Sequence, residues 1–347
     1  MNILMLLHTP YETKSSVDPR VRKEMEALEK NHSLKLMILP CPFTRSEISE
    51  LKTLFWLPLL LKEIIRNKID VVHIHNLPLA LPGIIASKLT RKKAVLDLHE
   101  PWPLHLKSRE LFKENSFHYV FWRCLEVLSV LLASRVIVVC EEAAERFKKT
   151  CTIVSNYSDW KPNGSHRSRD YFTIGYCGGM QRHRGINHLI EAFASFQTRF
   201  PDTRLILVGD GPERKNLERL VTNLLLTDKV KFFGGLHPDK AKAAMNSCDC
   251  CVIPHIKSDF TDHTMPHKLF EYMSLGKPVI TTNCGPLRRV VQETRCGLVC
   301  ETVEDMADAM EIMMHPNIFG LNALKAAKHK YNWKNEARKL IKLYASL

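Results

Sequence analysis

Residues 264–286, TMPHKLFEYMSLGKPVITTNCGP, read as a loop, a helix and a buried strand in one short stretch. Pro266 favours a helix start, where a missing N–H costs nothing. Leu269, Phe270, Tyr272 and Met273 give the helix an apolar body, and Gly276 ends it. Lys277-Pro278 turns the chain into Val279-Ile280, the opening of a buried strand. Glu271 is the one acid of this helix and falls in its second turn. A carboxylate there can accept two vicinal hydroxyls, as from a ribose. The amides of Thr264, Met265 and their neighbours lie where a helix start stabilises an anion. Taken alone, Glu271 reads as a solvated glutamate on a surface helix.

Outward from this stretch the same alternation repeats. Apolar runs at 2–7, 34–39, 70–74, 94–98 and 136–140 mark strands of a first half. Runs at 174–177, 204–208, 230–233, 251–253 and 278–282 mark strands of a second. Many lack polar alternation, as strands buried on both faces do. Between them Ile186, Leu189, Ile190, Phe193 and Phe200 follow helical spacing, as do Val303, Met306, Ala307, Met310 and Met313. Strand–helix alternation predicts α/β architecture with parallel sheets. The 347 residues exceed what one hydrophobic core holds, which predicts two domains. Residues 158–171, SDWKPNGSHRSRDY, carry no periodicity and divide the chain into two doubly wound halves. The expected boundaries are a first domain over 1–158, a linker over 159–171 and a second domain over 172–330, then a terminal helix over 331–347. Two such halves are expected to face each other across a cleft.

Composition narrows the class. The hydrophobic fraction is 45% and the charged fraction 25%, which excludes disordered and coiled-coil chains. No apolar run is long enough to span a membrane, and the N-terminal run lacks the flanks of a signal peptide. The net charge of +13 favours an anionic partner, and no zinc-finger or RNA-binding motif directs it to nucleic acid. Eleven cysteines without paired C-x-x-C spacing read as small buried thiols in a reducing cytoplasm, not as metal ligands.

Seven further segments fix a resemblance. They are 174–193 (IGYCGGMQRHRGINHLIEAF), 204–213 (RLILVGDGPE), 230–236 (VKFFGGL) and 248–254 (CDCCVIP) in the second half, with 18–28 (DPRVRKEMEAL), 70–76 (DVVHIHN) and 96–100 (LDLHE) in the first. With 264–286 they closely resemble the GT-B glycosyltransferases, specifically the large retaining family 4. The resemblance implies two Rossmann-like domains. The first would lie on the acceptor side and the second would bind a nucleotide sugar, UDP- or GDP-linked. The terminal helix, 331–347, would cross back to the first domain. Glu271 matches the second Glu of the family's E-x7-E motif, which implies contact with the donor ribose. The first Glu position is His263. Its side chain can hydrogen-bond a sugar hydroxyl, or it can be a loop histidine without a ligand.

The family neutralises the diphosphate with an Arg and a Lys after the first strand of the second domain. Gly179 stands at the Arg position, beside Gly178, and Arg184 stands at the Lys position. Arg182 and Lys268 are candidates to supply charge, and Thr264, Met265 and Leu269 complete the donor-binding set. No D-x-D motif offers a metal, so metal-independent transfer is expected, with no cofactor. His99, at the carboxyl end of a buried strand, joins His263 as a catalytic candidate. Asp18, Arg20 and Glu100 are acceptor-side candidates. The resemblance implies transfer of a sugar to an acceptor hydroxyl with retention, the acceptor being lipid-linked or a cell-surface polysaccharide. Residues 51–68, LKTLFWLPLLLKEIIRNK, are apolar, aromatic and basic. They can be an interfacial element on the inner face of a membrane or a core helix. The rival readings are a catalytically impaired scaffold or regulator and a nucleotide-sugar epimerase of the same fold.

Overall fold

The computed structural model describes residues 1–9, 18–40, 51–109, 111, 116–159, 171–315 and 318–347. The expected linker lies almost wholly outside them. The chain divides into two compact units, Met1–Ser155 with Glu336–Leu347, and Asn156–Asn335.

The first unit runs β1 (Asn2–Thr9), α1 (Pro19–Leu28), β2 (Ser33–Pro40), α2 (Leu57–Arg66), β3 (Val71–His75), α3 (Ala80–Leu89) and β4 (Lys93–Leu98). It continues through α4 (Trp102–Ser108), α5 (Phe117–Leu132), β5 (Arg135–Val138), α6 (Glu141–Glu145) and β6 (Thr152–Ile153). Its sheet has the order β2-β1-β3-β4-β5-β6, and every pairing is parallel. Composition explains the order. β3 is buried at every residue and sits inside, whereas β2 is exposed along much of its length and forms an edge. The chain leaves β1 for β2, then crosses back to β3. The topological switch therefore lies between the carboxyl ends of β1 and β3.

The second unit runs β7 (Phe172–Cys177), α7 (Ile186–Arg199), β8 (Thr203–Val208), α8 (Arg214–Asn223), β9 (Val230–Gly234), α9 (Pro238–Asn246) and β10 (Cys250–Ile253). It continues through α10 (His267–Ser274), β11 (Val279–Thr282), α11 (Gly285–Thr294), β12 (Gly297–Cys300), α12 (Val303–Met314) and α13 (Phe319–His329). The sheet order is β12-β11-β10-β7-β8-β9, again all parallel. Its switch lies between β7 and β10. Ile186, Leu189, Ile190 and Phe193 of α7 join Met306, Met310 and Met313 of α12 in one core. Phe200, expected on the same helical stripe, caps α7 instead.

The last helix, α14 (Trp333–Ala345), lies mostly in the first unit. There the Ser155 amide donates to Glu336 Oε2 at 2.7 Å, and Tyr344 Oη lies 2.6 Å from His73 Nδ1. All ten strands read from the sequence are present, and β6 and β12 add to them. Segment 51–68 is a 3₁₀ turn, Leu51–Trp56, running into α2. It buries Leu60 and Ile64, as a core helix does, and leaves Phe55 81% and Ile65 70% exposed.

Candidate functional site

In the second unit β7 ends at the switch point and releases the chain into Gly178-Gly179. A Cβ on Gly178 would lie 2.6 Å from Lys268 Nζ, so glycine leaves room for that ammonium. Lys268 is 8% exposed. Its Nζ donates to Tyr176 Oη at 3.0 Å, and Tyr176 Oη donates to the Gly179 carbonyl at 2.8 Å. Burial and the Arg184 charge push Lys268 well below the usual lysine range. An anion beside it restores its charge. No arginine stands at 179, and the Gln181 amide fills the space beside that residue.

Arg184 lies at the end of a short turn, Arg182–Arg184. Its Nη1 donates to His255 Nε2 at 3.0 Å. Burial and Arg184 hold His255 well below its ordinary pKa, so it accepts as a neutral ring. Arg184 Nε is buried without an acceptor among the described residues. A buried guanidinium N–H left open is costly unless a ligand meets it. Arg182 stands apart. It is exposed and lines a different cavity of about 370 Å³, with Asn187, Glu213 and Asn216.

Glu271 is exposed in the second turn of α10 and lines a cavity of about 420 Å³ with Cys177, Lys242, Met245 and Tyr272. Tyr272 Oη accepts from the Cys177 amide at 2.8 Å and locks α10 to the end of β7. Thr264 is extended and half-buried ahead of the helix. Met265 is buried, and its carbonyl accepts from Asn156 Nδ2 at 3.4 Å. The Leu269 side chain belongs to the core, and its amide donates weakly to the Pro266 carbonyl. His263 Nδ1 lies 2.6 Å from the Asp259 carbonyl. That bond requires a proton on Nδ1, which makes Nε2 the acceptor in the neutral ring. Asp262 next to it caps α11 by accepting from the Gly285 amide at 2.7 Å.

In the first unit His99 follows β4 and is 13% exposed. Its Nε2 lies 2.9 Å from Asp97 Oδ2 and 3.2 Å from His75 Nδ1, and its amide donates to Asn76 Oδ1 at 3.0 Å. Asn76 is held at φ +63°, a strained conformation at the carboxyl end of β3. Glu100 lies 3.1 Å from His105. Burial raises the Glu100 pKa, but His105, His99 and Arg109 outweigh it and keep the carboxyl below its usual range. Asp18 caps α1, accepting from the Arg20 amide at 2.8 Å.

Arg20 is 1% exposed, so it reaches an acceptor region only through its neighbours. Its guanidinium grips Asp97 at 3.0 and 2.9 Å, donates to the Val154 carbonyl at 2.8 Å, and lies 3.0 Å from Glu24 Oε1. Arg20 and the nearby imidazoles hold Asp97 well below the carboxylate range, whereas burial and Asp97 push Glu24 well above it. Burial lowers His75 to about 3. Glu24, His73, His75 and Asp97 offer ligand atoms within 4.8 Å of one another, a donor set a metal could use. Arg20 already occupies the cation's role there.

Sequence reasoning missed Asp97, His75 and His255. The signals were present: a charge inside the buried strand AVLDL, histidines at alternate positions of VVHIH, and a histidine after CVIP at a switch strand.

The family model described as "Glycosyl transferases group 1" matches residues 160–340, and that of "Glycosyltransferase Family 4" matches residues 18–164. The D-inositol 3-phosphate glycosyltransferase of Corynebacterium urealyticum is 28% identical over 186 residues, 50% of this chain and 43% of that relative. The chain thus aligns with less than half of that curated relative's length. Sucrose-phosphate synthase from Thermosynechococcus elongatus superimposes with a TM-score of 0.76 at 18% identity, covering 99% of this chain and 98% of that one. HepE of Anabaena, solved in complex with UDP, gives a TM-score of 0.76 at 17% identity with 100% of both chains covered. The two-unit α/β architecture expected from the sequence is the architecture of the chain.

Proposed function

The chain belongs to the glycosyl transferases group 1 family, and from that premise we propose that it transfers a sugar, with retention, from a nucleoside diphosphate donor to an acceptor hydroxyl. The observation that carries this reading is the switch point of the second sheet. There Glu271 lines a cavity of about 420 Å³, Lys268 one turn earlier on α10 meets Tyr176 of β7, and Arg184, paired with His255 after β10, keeps an open Nε. In this reading the Glu271 carboxylate accepts two ribose hydroxyls. Arg184, Lys268 and the amides before α10 take the diphosphate. As the bond from the anomeric carbon to the diphosphate oxygen breaks, these cations stabilise the leaving charge. The acceptor oxygen bonds to the anomeric carbon on the face being vacated, and its proton passes to the departing phosphate oxygen. His99, its Nε2 held by Asp97, is the first unit's candidate for an acceptor hydroxyl, and His263 offers Nε2 to the donor sugar.

HepE's complex with UDP supports uridine donors as the first to test. The +13 charge supports an acceptor at an anionic membrane surface, lipid-linked or a growing polysaccharide. The ten described cysteines are free thiols, which supports a reducing, cytoplasmic setting. No helix among the described residues is long and apolar enough to cross a membrane.

The test is a panel of nucleotide sugars read by thermal shift and product analysis, with and without EDTA. Stabilisation by one donor, a product of unchanged anomeric configuration and activity that survives EDTA are the expected results. Activity lost in EDTA and restored by Mn²⁺ or Mg²⁺ overturns the metal-free charge balance. His263 and Gly179, at positions where the family has Glu and Arg, favour a second reading as a catalytically impaired scaffold. Nucleotide binding without transfer or hydrolysis selects it, and a donor isomerised without acceptor selects an epimerase.

A further inference from the structure

Helix α5 is apolar on both sides. One side buries Trp122, Leu125 and Val130, with Glu126 and Ser129. The other leaves Phe117, Val120, Val127, Leu128, Leu131 and Leu132 exposed, Phe117 at 68% and Leu131 at 61%. At 100° per residue these six fall within an arc of about 140°, and they run for about 22 Å along the axis. No acid lies on this stripe. The helix's one carboxylate, Glu126, is buried under two guanidiniums, Arg123 at 2.6 Å and Arg146 at 2.9 Å. Helix α3 packs against both α2 and α5. These three helices carry Lys62, Arg66, Lys88 and Arg123, while Glu63 is ion-paired to Lys35.

We propose that the exposed face of α5 docks on an anionic phospholipid leaflet. This rests on the membrane reading above and moves its contact from residues 51–68 to a longer, acid-free stripe. Charge decides the occupant. Pairing two copies through this face would bring together two chains of +13 charge each, whereas a leaflet of anionic headgroups offsets that charge.

Flotation of the full chain with phosphatidylcholine vesicles, with and without phosphatidylglycerol, tests the proposal. The unmodified chain is expected to float only with phosphatidylglycerol and to be released by salt. Leu128→Ser with Leu131→Ser is expected to lower the bound fraction at least about tenfold, because it removes two exposed leucines from lipid burial. Phe55→Ser with Ile65→Ser is expected to lower it less. Melting curves check that each variant is folded. A polarity-sensitive fluorophore on Cys124, the one exposed cysteine among the described residues, reads the same contact on the unmutated stripe. An unmodified chain that stays unbound at low salt overturns both the membrane reading and this inference. Binding that survives the α5 changes, or a Cys124 probe that does not shift, overturns the inference alone. A chain that sediments as a dimer and does not float assigns the face to a second copy and overturns the proposal.

Discussion

Glu271→Ala is expected to weaken UDP binding about ten- to a hundredfold, the worth of charge-assisted hydrogen bonds of roughly 1.5–3 kcal/mol. Calorimetry checks it, and unchanged affinity removes Glu271 from the ribose. Asp97→Asn should act differently. It strips the anion from a guanidinium that is 1% exposed, so destabilisation of about 3–5 kcal/mol in urea is expected. Glu271 was singled out only through the motif around it, since a lone acid in the second turn of a helix reads as a solvated glutamate. Asp97 was not, because pairing with Arg20 depends on a residue 77 positions away in sequence. His255 escaped notice for the same kind of reason. Only the strand order puts the end of β10 beside β7 and Arg184.

At the level of elements, the turn between β7 and α7 is the most constrained connection at the site. Gly185 sits at φ +63°, and a Cβ there would overlap the Pro254 carbonyl oxygen. Gly185→Ala is expected to cost more than about 1 kcal/mol and to raise the KM for the donor by displacing Arg184 next to it. Urea midpoints and initial rates measure the two effects. Strands with unbroken apolar runs were readable, since burial on both faces leaves a plain mark. β6 has two residues, too few for any period, and β12, GLVC, is only partly buried along most of its length. Helix α5 was not singled out in sequence, and which of its sides meets the core is decided by packing against α3 and α4.

For the molecule as a whole, buried neutral imidazoles set the acid limit. Burial lowers His75 to about 3 and His8 to about 4, and it also lowers His73 and His255. Below pH 6.5 the unfolded chain binds protons that the folded one refuses, so stability falls as pH drops, by about 1.4 kcal/mol per pH unit for each such group. Glu24 acts in the opposite direction. Its raised pKa contributes stability that is full below its unfolded value of 4.5 and fades as pH rises. Four histidines outweigh one glutamate, and the melting temperature should drop steeply from about pH 6.5 towards 4. A flat profile would mean that these rings are charged in the fold. The family, the two-unit plan and the strand periods were legible at this scale. The buried polar cluster of the first unit was not, because it is assembled from α1, β3, β4 and α14.

That last helix carries a consequence for how the chain comes into being. Residues Glu336–Leu347 complete the unit whose other part is translated first. During synthesis the whole of Asn156–Asn335 emerges in between, a delay of roughly 10–35 s at ~5–20 residues per second. For that interval His73 lacks Tyr344, the Ser155 amide lacks Glu336, and the first sheet waits with part of its surface open. The unit that begins first on the ribosome is therefore the unit that finishes last.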